Sequence, residues 1–561
     1  MAEFRPMANA VTPADALGDL MQSWSLTLDK LIEHAARWNG GREIVSRLAD
    51  GELRRTTWYE VHGRARRLSA ALLEEGICLG DRVATLAMNG YRHLEAWYAI
   101  MGIGAVCHTL NPRLFEDDLV YIVNHAADRW ILADPLFAPL LVRILPRCPS
   151  VERVVIMDDS SSVPPGLAVR TEIYERLLEG RTESCRWGEF DERTPAGLCY
   201  TSGTTGHPKG VLYSHRSNFL HTLAALQADC LGFGQCDVVM PVVPMFHANA
   251  WGLPFAAAAV GAKLVLPGAK LDGGSLYELL ENERVTFAAA VPSVWQVLVD
   301  YLDANALKPT SLRCVMIGGS ACPEALIRSF HDRFGIDVKH GWGMTEMSPI
   351  GTFTMLTDRS AQLDEEAKVA LRRKQGRALF GVDMKLTDDE GNRLPQDGMT
   401  PGHLKVRGPT VLSRYFGDSD REVLDAEGYF DTGDIATIDA DGYMTITDRA
   451  KDLIKSGGEW ISSVEIENIA SGHPKALMAA VIAIPHSKWG ERPLLLVRLK
   501  AGLSATREEF TEHLAPRLAR WWMPDEILFV DEIPLGATGK IDKKKLREAY
   551  VGYRLRCQSS R

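Results

Sequence analysis

Short β-rich runs alternate with amphipathic helical stretches in this chain from about residue 80 onward. The first strands are predicted at 81–89, 106–110 and 129–134, with helices at 91–105 and 116–127 between them. Further apolar strands are predicted at 263–268, 286–293, 313–320 and 337–343. Because parallel strands need a crossover connection that usually contains a helix, this alternation predicts an α/β fold built on parallel sheets.

The alternation ends near residue 376, where shorter β-like pieces with turn signals such as "DDEGN" and "DADGY" follow. The last part of the chain is predicted to form an α+β domain, with strands at 476–485, 492–501 and 526–534 and a helix at 507–522. A chain of 561 residues also exceeds what one hydrophobic core usually serves. We therefore predict a large N-terminal domain of parallel α/β sheets plus a β-rich subdomain, residues 1–448, and a small α+β C-terminal domain, residues 449–561.

Composition and charge exclude several classes of protein. Hydrophobic residues make up 46% and charged residues 24% of the chain, as in globular rather than disordered or fibrous proteins. A formal net charge of -10 without a basic block disfavours nucleic-acid binding. The ten cysteines are scattered singly without zinc spacing, and no apolar run is long enough to cross a bilayer. These features predict a cytoplasmic protein with reduced thiols, neither secreted nor membrane-spanning.

The stretch "TSGTTGHPKG" at 201–210 combines three glycines, one lysine and four Ser/Thr hydroxyls. Strand-like runs flank it and a helix is predicted at 217–231, so we expect a loop between strands. Glycines let successive N–H groups turn inward, while hydroxyls and an ammonium add donors and charge suited to phosphate oxygens. The spacing differs from G-x-x-x-x-G-K-[ST], which disfavours a Walker-type ATPase. In isolation the stretch would also suit a flexible surface turn.

Together with four further segments, this stretch resembles the motifs of the adenylate-forming superfamily, which comprises acyl-CoA synthetases, luciferases and the adenylation domains of peptide synthetases. The other segments are "GWGMTE" (341–346), "GYFDTGD" (428–434), "DRAKDLIKSGGEWIS" (448–462) and "PLGATGKIDKKKL" (534–546). They occur in the family's order and cover essentially the whole chain. The resemblance implies that ATP, Mg²⁺ and coenzyme A are used and that the C-terminal domain is mobile.

The resemblance assigns an ATP-binding role to a set of residues drawn from these motifs and from the end of a predicted strand. They are Thr201, Ser202, Gly203, Thr204, Thr205, Gly206, Lys209, Gly319, Ser320, Gly341, Trp342, Gly343, Met344, Thr345, Asp434 and Arg449. A carboxylate in a turn at Asp434 suits the ribose hydroxyls, with Arg449 bonding from the other side, although an Asx turn would explain this residue equally well. Trp342 can stack on a purine or simply pack in the protein.

Two residues are implied to act in catalysis by their charge. Glu346 matches the magnesium position, and Mg²⁺ accepts one or two protein carboxylates beside phosphate oxygens and water; from sequence alone it could also be an acid at a helix start. Lys540 matches the catalytic lysine, a mobile cation that can bridge the substrate carboxylate and the α-phosphate. Lysines in a tail such as "KIDKKK" are otherwise expected to be solvated.

The family's reaction has two half-steps, between which the C-terminal domain swings. A carboxylate attacks the α-phosphorus of ATP to give an acyl-adenylate, and a thiol then displaces AMP. Lys451 matches the hinge position. The segment that lines the pantetheine path in the second state corresponds to Lys455, Gly457, Gly458, Glu459 and Trp460.

An acyl pocket is suggested by the apolar and aromatic segments 244–255 and 289–295, which lie next to predicted strand ends. "HANAWG" resembles bacterial medium- and long-chain fatty acyl-CoA synthetases, which implies that His247 lies near the carboxylate as a third catalytic residue and that Trp251 gates an acyl tunnel. The expected lining is Trp251, Val291, Pro292, Trp295 and Gly318, although both tryptophans could be core residues and His247 a buried histidine. These segments contain no positive charge to pair a second carboxylate, which favours simple monocarboxylates.

The sequence therefore predicts an ATP-dependent acyl-CoA synthetase for a fatty acid, with a medium chain favoured. A short or thioether acid such as methylmercaptopropionate, and an adenylation enzyme that loads a carrier protein, stay open as alternatives. A luciferase-like oxygenase would emit light. A silent nucleotide-binding regulator would be expected to lack Lys540 or Glu346, and both are present. Relatives in the fatty-acid group are often homodimers through the N-terminal domain, so we expect one here.

Overall fold

The computed structural model describes residues 21–159, 162–201, 207–418, 422–457, 459–536 and 540–554. Within these residues, seven strands form one sheet of the large domain, and all its neighbours are parallel except the last two, which form an antiparallel hairpin. In spatial order they are β7 (Arg170–Ile173), β6 (Arg153–Ile156), β5 (Trp130–Ala133), β3 (Arg82–Leu86), β4 (Val106–Thr109), β8 (Pro195–Thr201) and β9 (Lys209–Ser214).

A second sheet of nine strands, counted over the same described ranges, is parallel at its centre and antiparallel at both edges. Its order is β16 (Arg377–Ala378), β15 (Ile350–Phe353), β14 (Asp337–Gly343), β13 (Cys314–Ile317), β12 (Phe287–Ala290), β10 (Val238–Pro241), β11 (Lys263–Leu266), β1 (Glu43–Arg47) and β2 (Leu53–Thr57). The carboxyl ends of its parallel strands therefore meet at one edge, where open α/β sheets bind ligands.

Helices cover and separate the two sheets. They are α1 (Asp29–Trp38), α2 (Trp58–Glu74), α3 (Tyr91–Gly102), α4 (Glu116–Ala126), α5 (Ala138–Ile144), α6 (Tyr174–Leu178), α7 (His215–Ala225), α8 (Leu253–Val260), α9 (Gly273–Asn282), α10 (Pro292–Ala304), α11 (Glu324–Arg328), α12 (Asp358–Ala361) and α13 (Glu365–Arg373). Helix α3 is almost entirely buried, and it contacts β3 and β4 of one sheet and β1 of the other. The main core therefore lies between the sheets, with Trp97 and Phe255 among its largest side chains.

The β-rich subdomain is an antiparallel sheet of β17 (Asp383–Thr387), β18 (Gly402–Arg407), β19 (Phe430–Ile438) and β20 (Met444–Arg449). The C-terminal domain follows, with a sheet in the order β22 (Glu459–Ile461), β21 (Ile454–Ser456), β24 (Gly490–Leu499) and β23 (Ala476–His486), while β25 (Glu526–Phe529) pairs with β24. Its helices are α14 (Ser463–Ser471), α15 (Arg507–Leu514) and α16 (Lys543–Ala549). The structure confirms the predicted α/β class, with parallel sheets in a large N-terminal domain and a smaller C-terminal domain. The predicted boundary at 448/449 falls at the last residue of β20 and stays a prediction.

The predicted helices at 507–522 and 217–231 differ most from the observed ones. The helix expected at 507–522 ends at Leu514, because Pro516 lacks an N–H group and its ring clashes with the preceding turn; a 3₁₀ turn follows at Arg520–Trp522. The helix expected at 217–231 is α7, which begins earlier, at His215, and ends at Ala225. No helix in the described ranges is long and apolar enough to cross a membrane.

Candidate active site

The β8–β9 hairpin carries the glycine-rich stretch. Thr201, the last residue of β8, pairs with Lys209, the first residue of β9, so the stretch connects two strands as predicted. The expected phosphate contacts Ser202, Gly203, Thr204, Thr205 and Gly206 lie outside the described residues. The structure thus shows the two ends of this connection, Thr201 and Lys209.

Aromatic side chains tie both flanks of the connection to helix α4. On one flank, the Tyr200 hydroxyl is 2.6 Å from Nδ1 of His125. On the other, the His207 ring stacks on Tyr121 with centroids 4.3 Å apart, and Tyr121 in turn stacks on His125 at 5.4 Å. Because Tyr121 and His125 are one helical turn apart on α4, they present one continuous face to both flanks.

Glu346 lies in a short 3₁₀ turn, Thr345–Met347, directly after β14, and is 7% exposed. The Tyr415 hydroxyl donates a hydrogen bond of 2.9 Å to Oε1 of Glu346. The Lys209 ammonium lies 4.8 Å from the centroid of the Tyr415 ring. Burial raises the pKa of the Glu346 carboxyl, and the Tyr415 hydrogen bond acts in the opposite direction. One tyrosine therefore contacts both the predicted metal ligand and the predicted phosphate-binding lysine.

Asp434 is buried within strand β19 rather than in the turn expected from the sequence, so an Asx turn does not account for it. Its carboxylate forms an ion pair with Arg449, with Nε 2.9 Å away, and accepts a hydrogen bond of 2.9 Å from Nε1 of Trp342. Arg449 is its partner on β20, and it also donates to the Thr432 carbonyl. Burial raises the pKa of Asp434, while Arg449 and Trp342 lower it. The indole of Trp342 is thus oriented by the same carboxylate that was assigned to the ribose.

Lys540 extends from the C-terminal domain towards Asp434, Arg449 and Glu346. A Cβ added to Gly319 would lie 3.9 Å from Cε of Lys540, which places the lysine stem beside the end of β13. Removal of the ammonium from solvent and the nearby Arg449 lower the pKa of Lys540 to about 8, while Asp434 and Glu346 act to raise it. The predicted catalytic lysine, metal ligand and ribose acid therefore lie within electrostatic reach of one another.

Lys540 also lines a cavity of about 50 Å³ whose walls are largely apolar. Four other residues predicted for the site line it as well: His247, Trp251, Val291 and Gly319. The remaining lining residues are Asn111, Arg113, Val242, Val243, Pro244, Phe246, Leu271, Ala290 and Val294. The cavity thus joins the predicted acyl segments to the catalytic lysine.

Asn111 and Arg113 were not expected in the site. They follow β4, and the Arg113 guanidinium lies 5.8 Å from the Phe246 ring centroid. The available signal was their place just after a parallel strand, where α/β sheets bind ligands. Arg113 adds a cation that segments 244–255 and 289–295 lack. The cavity wall therefore contains a positive charge that the sequence argument for simple monocarboxylates did not take into account.

His247 is half-buried on the cavity wall. Burial, together with the positive charges of Lys540 and Arg113, lowers the pKa of His247 to about 4. The imidazole is therefore neutral near pH 7, so it can donate or accept a hydrogen bond without adding to the positive charge.

Trp251 projects from a turn with unusual backbone geometry. Four consecutive residues, 248–251, have positive φ angles of 42°, 56°, 47° and 56°. The left-handed region is unfavourable for residues with a Cβ atom, so the surrounding packing must hold this turn in place. A Cβ on Gly318 would lie 3.3 Å from Cη2 of Trp251 and 3.0 Å from the Gly341 carbonyl oxygen. Glycine at 318 thus leaves room for the indole beside the cavity.

Two of the predicted pocket residues belong to the protein interior instead. Trp295 is fully buried, donates from Nε1 to the Met316 carbonyl at 3.1 Å and packs edge-on against Phe330. Pro292 is buried at the first position of α10. Neither lines the cavity, so Trp295 has the core position that the sequence left open.

The other predicted ATP-binding residues lie at the carboxyl ends of β13 and β14. Gly319 has a φ of 82°, and a Cβ at Gly343 would be 2.0 Å from the Pro349 carbonyl oxygen, so backbone approach requires glycine there. The Thr345 carbonyl accepts a 2.8 Å hydrogen bond from the Tyr213 hydroxyl. The set comprises Gly319, Ser320, Gly341, Trp342, Gly343, Met344 and Thr345. These residues therefore lie together at one edge of the sheet, because the two strands are parallel neighbours.

The predicted hinge and thiol-path residues lie at the start of the C-terminal domain. Lys451 is exposed between β20 and β21, and Lys455 and Trp460 are paired across the β21–β22 hairpin. Gly457, at the tip, has a φ of 63°, and a Cβ there would be 2.8 Å from the Trp489 ring. Glu459 begins β22, and Gly458 lies outside the described residues. Lys455, Gly457 and Trp460 do not line the cavity.

The comparisons with known proteins agree with this geometry. The family model described as AMP-binding enzyme matches residues 32–416, and that described as AMP-binding enzyme C-terminal domain matches residues 465–540. The chain therefore belongs to the AMP-binding enzyme family, and the adenylate-forming superfamily predicted from its motifs is confirmed.

Individual proteins match over nearly the full chain. The chain is 49% identical over 538 residues to a 3-methylmercaptopropionyl-CoA ligase of Ruegeria lacuscaerulensis, covering 95% of this chain and 99% of that protein. It is 48% identical over 548 residues to a medium-chain-fatty-acid–CoA ligase of Ectopseudomonas oleovorans, covering 97% and 99%. Among solved structures, the anthranilate CoA ligase AuaEII in complex with anthranoyl-AMP matches with a TM-score of 0.83 and 25% identity, covering 93% and 97%.

Proposed function

We propose that this protein is an acyl-CoA synthetase that activates a monocarboxylic acid with ATP and transfers the acyl group to coenzyme A. The observation that carries the proposal is the meeting of Lys540, Asp434 and Glu346 beside an apolar cavity lined by His247 and Trp251. Family membership and the activities of the two ligases above support the same reaction class.

In the first half-reaction, a carboxylate oxygen of the acid attacks the α-phosphorus of ATP and pyrophosphate leaves. Lys540 supplies a positive charge between the two anionic reactants, which repel each other as they approach. Asp434 and Arg449 hold the ribose, and Lys209 neutralises phosphate charge at the hairpin. The protein therefore acts by positioning and charge neutralisation, without a covalent bond to the substrate.

Mg²⁺ would be held by Glu346 and the ATP phosphates. The described residues contain no group of three or more His, Cys, Asp or Glu side chains that could hold a metal ion alone. A single buried carboxylate fits an ion that arrives on ATP, because Mg²⁺ keeps substrate phosphates and water as its other ligands. When bound, it would neutralise charge on the phosphate oxygens.

In the second half-reaction, the CoA sulfur attacks the acyl carbonyl carbon and AMP leaves. We infer that the C-terminal domain rotates about Lys451 between the two steps, which withdraws Lys540 and brings the segment 455–460 to the thiol path. The exposed position of Lys451 between two strands supports this role, because a hinge needs backbone angles free to change.

The acid is a fatty acid, with a medium chain favoured, and the alternative is a short or thioether acid. The apolar lining supports a hydrocarbon tail. The narrow volume of about 50 Å³ and the 3-methylmercaptopropionyl-CoA ligase relative favour the alternative.

A panel of acids assayed for CoA-dependent AMP release distinguishes a medium-chain fatty acid from a short or thioether acid as the substrate. It would run from acetate to stearate and include methylmercaptopropionate and other thioether acids. We expect one maximum in the series, whose position separates the two substrate classes. Background release with every acid would overturn the proposed function.

We further propose a cytoplasmic homodimer. The free thiols among the described cysteines support a reducing compartment. Trp24, Trp38 and Tyr59, which are 58%, 67% and 67% exposed, surround an open depression of about 580 Å³ in the N-terminal region. Aromatic groups of this kind are enriched at protein interfaces, which supports self-association through this face.

A further inference from the structure

We propose that Tyr415 is a positioning residue that keeps Glu346 and Lys209 apart, so that the carboxylate stays available to Mg²⁺ and the ammonium to ATP phosphate. This inference rests on the proposed function, because it assigns a purpose to the spacing of two ATP-site groups. It concerns a residue that none of the sequence motifs includes.

The contacts of Tyr415 reach both charged groups at once. Its hydroxyl donates to Oε1 of Glu346 at 2.9 Å, and its ring carries the Lys209 ammonium 4.8 Å from the centroid. The ring is itself fixed edge-on against Phe430, with centroids 6.4 Å apart. The side chain is half-buried, so it forms part of the wall between the two groups.

The backbone around Tyr415 is fastened to the same two elements. Three residues before it, the Leu412 N–H donates to the Glu346 carbonyl at 2.9 Å. One residue after it, the Phe416 N–H donates to the Gly210 carbonyl at 2.8 Å, next to Lys209. The segment therefore bridges the Glu346 turn and the β9 strand on both sides of the tyrosine.

A spacer is needed because the two groups have opposite charges. A carboxylate and an ammonium that lie close together at a partly buried site attract each other strongly. Direct pairing would occupy the oxygen that Mg²⁺ requires and the charge that the phosphate requires. Tyr415 gives the carboxylate a neutral donor and gives the ammonium the face of an aromatic ring, so that both groups are partnered without neutralising each other.

The test is equilibrium binding of ATP by titration calorimetry in excess EDTA, which requires neither metal nor turnover. We expect Tyr415→Phe to weaken ATP binding about tenfold, because the released carboxylate pairs with Lys209. In a Glu346→Gln background, where no carboxylate can capture the lysine, the same change should leave the affinity within about twofold. A role confined to packing would instead give the same loss in both backgrounds.

The chain offers a matched control. Tyr429 also donates to a carboxylate, Asp383, at 2.5 Å and carries a lysine, Lys385, 4.3 Å from its ring centroid, in the β-rich subdomain. Tyr429→Phe should leave ATP binding unchanged in both backgrounds. A Tyr415→Phe protein that binds ATP like the wild type, or loses affinity equally in both backgrounds, would overturn the inference. Wild-type protein that binds no ATP would contradict the proposed function itself.

Discussion

The Lys540 ammonium shows how one residue sets a measurable property of the enzyme. Lys540 is exposed as a whole, but desolvation of its ammonium and the nearby Arg449 lower its pKa to about 8, so the free enzyme loses this charge as the pH rises through that value. Since kcat/KM reports groups of the free enzyme, kcat/KM for ATP in pyrophosphate exchange should fall about tenfold per pH unit above about pH 8. Thioester formation from supplied acyl-adenylate should lack this decline, because it does not use the lysine. A flat exchange profile up to about pH 10 would contradict the role.

Removal of the same side chain separates the two half-reactions. Lys540→Ala should lower the rate of adenylation by about 10²–10³-fold, the usual effect of losing one charged or hydrogen-bonding group that stabilises a transition state. Thioester formation from a supplied acyl-adenylate should stay within about threefold of the wild type. Lys544→Ala is the matched control in the same tail. Equal losses in both half-reactions would show that Lys540 supports the fold of the domain and not one chemical step.

The sequence predicted some residues of the site and missed others for identifiable reasons. Lys540 was separated from its neighbours by the preceding P-x-x-x-T-G pattern and the resemblance, and the expectation that the other tail lysines are solvated fails at Lys543. That residue is half-buried, and its ammonium lies 2.8 Å from Glu467. Arg113 was missed because it approaches the cavity from a loop far away in the chain. Local patterns identify residue types suited to a task, but not which distant segments fold against them.

At the scale of elements, the connection between β20 and β21 contains the proposed hinge residue Lys451, and hydrogen bonds and an ion pair join the two domains beside it. Asp448 on β20 accepts hydrogen bonds of 2.6 Å from both the backbone N–H and the hydroxyl of Ser463, at the start of α14. Arg373 on α13 also pairs with Glu465 of α14 at 3.0 Å. Rotation of the C-terminal domain about Lys451 would have to break these contacts, so they stabilise the arrangement in which Lys540 reaches the cavity.

Lys451→Pro should stall the enzyme after the adenylate. The pyrrolidine ring fixes φ near −65°, which removes the rotation that a hinge requires. We expect pyrophosphate exchange close to that of the wild type and CoA-dependent AMP release lowered by more than about tenfold. Ala501→Pro is the control, because it occupies the second position of a turn closed by Leu503 N–H and Lys500 carbonyl, which accepts proline. Normal overall turnover in Lys451→Pro would refute the hinge.

Element prediction succeeded where a local pattern decides the structure. The run at 337–343 is a strand with the predicted bounds, and its first four residues pair in parallel with β13. The helix at 507–522 was overextended because its amphipathic pattern continues past Pro516, which ends α15. Asp434 was assigned to a turn after an aromatic pair, yet cross-strand pairing with Arg449 keeps it in β19. Tertiary pairing therefore overrode the local turn signal.

At the scale of the whole molecule, the alternating pattern predicted parallel sheets but not their number or membership. β1 is inserted next to β11, with Ile44 paired to Leu264, so the second sheet contains strands from both ends of the large domain. A strand contains no local information about which sheet it joins, since both sheets bury the same kinds of apolar side chain. Likewise, the site depends on docking of the C-terminal domain, which brings the Lys545 ammonium within 4.8 Å of the Phe115 ring centroid.

The exposed aromatic face of the N-terminal region gives a prediction about assembly. Trp38 lies on α1 under the Arg37 guanidinium, 4.9 Å from its ring centroid, and remains 67% exposed. If this face is the dimer interface, Trp38→Asp places a charge in an apolar contact and should convert a dimer of about twice the chain mass into a monomer. Light scattering after size-exclusion chromatography measures the mass directly. Phe380→Asp is the control, because Phe380 is 81% exposed and lies outside this face, so its substitution should leave the dimer intact. A wild-type monomer would refute the proposed assembly, and a Trp38→Asp dimer would move the interface elsewhere on the surface.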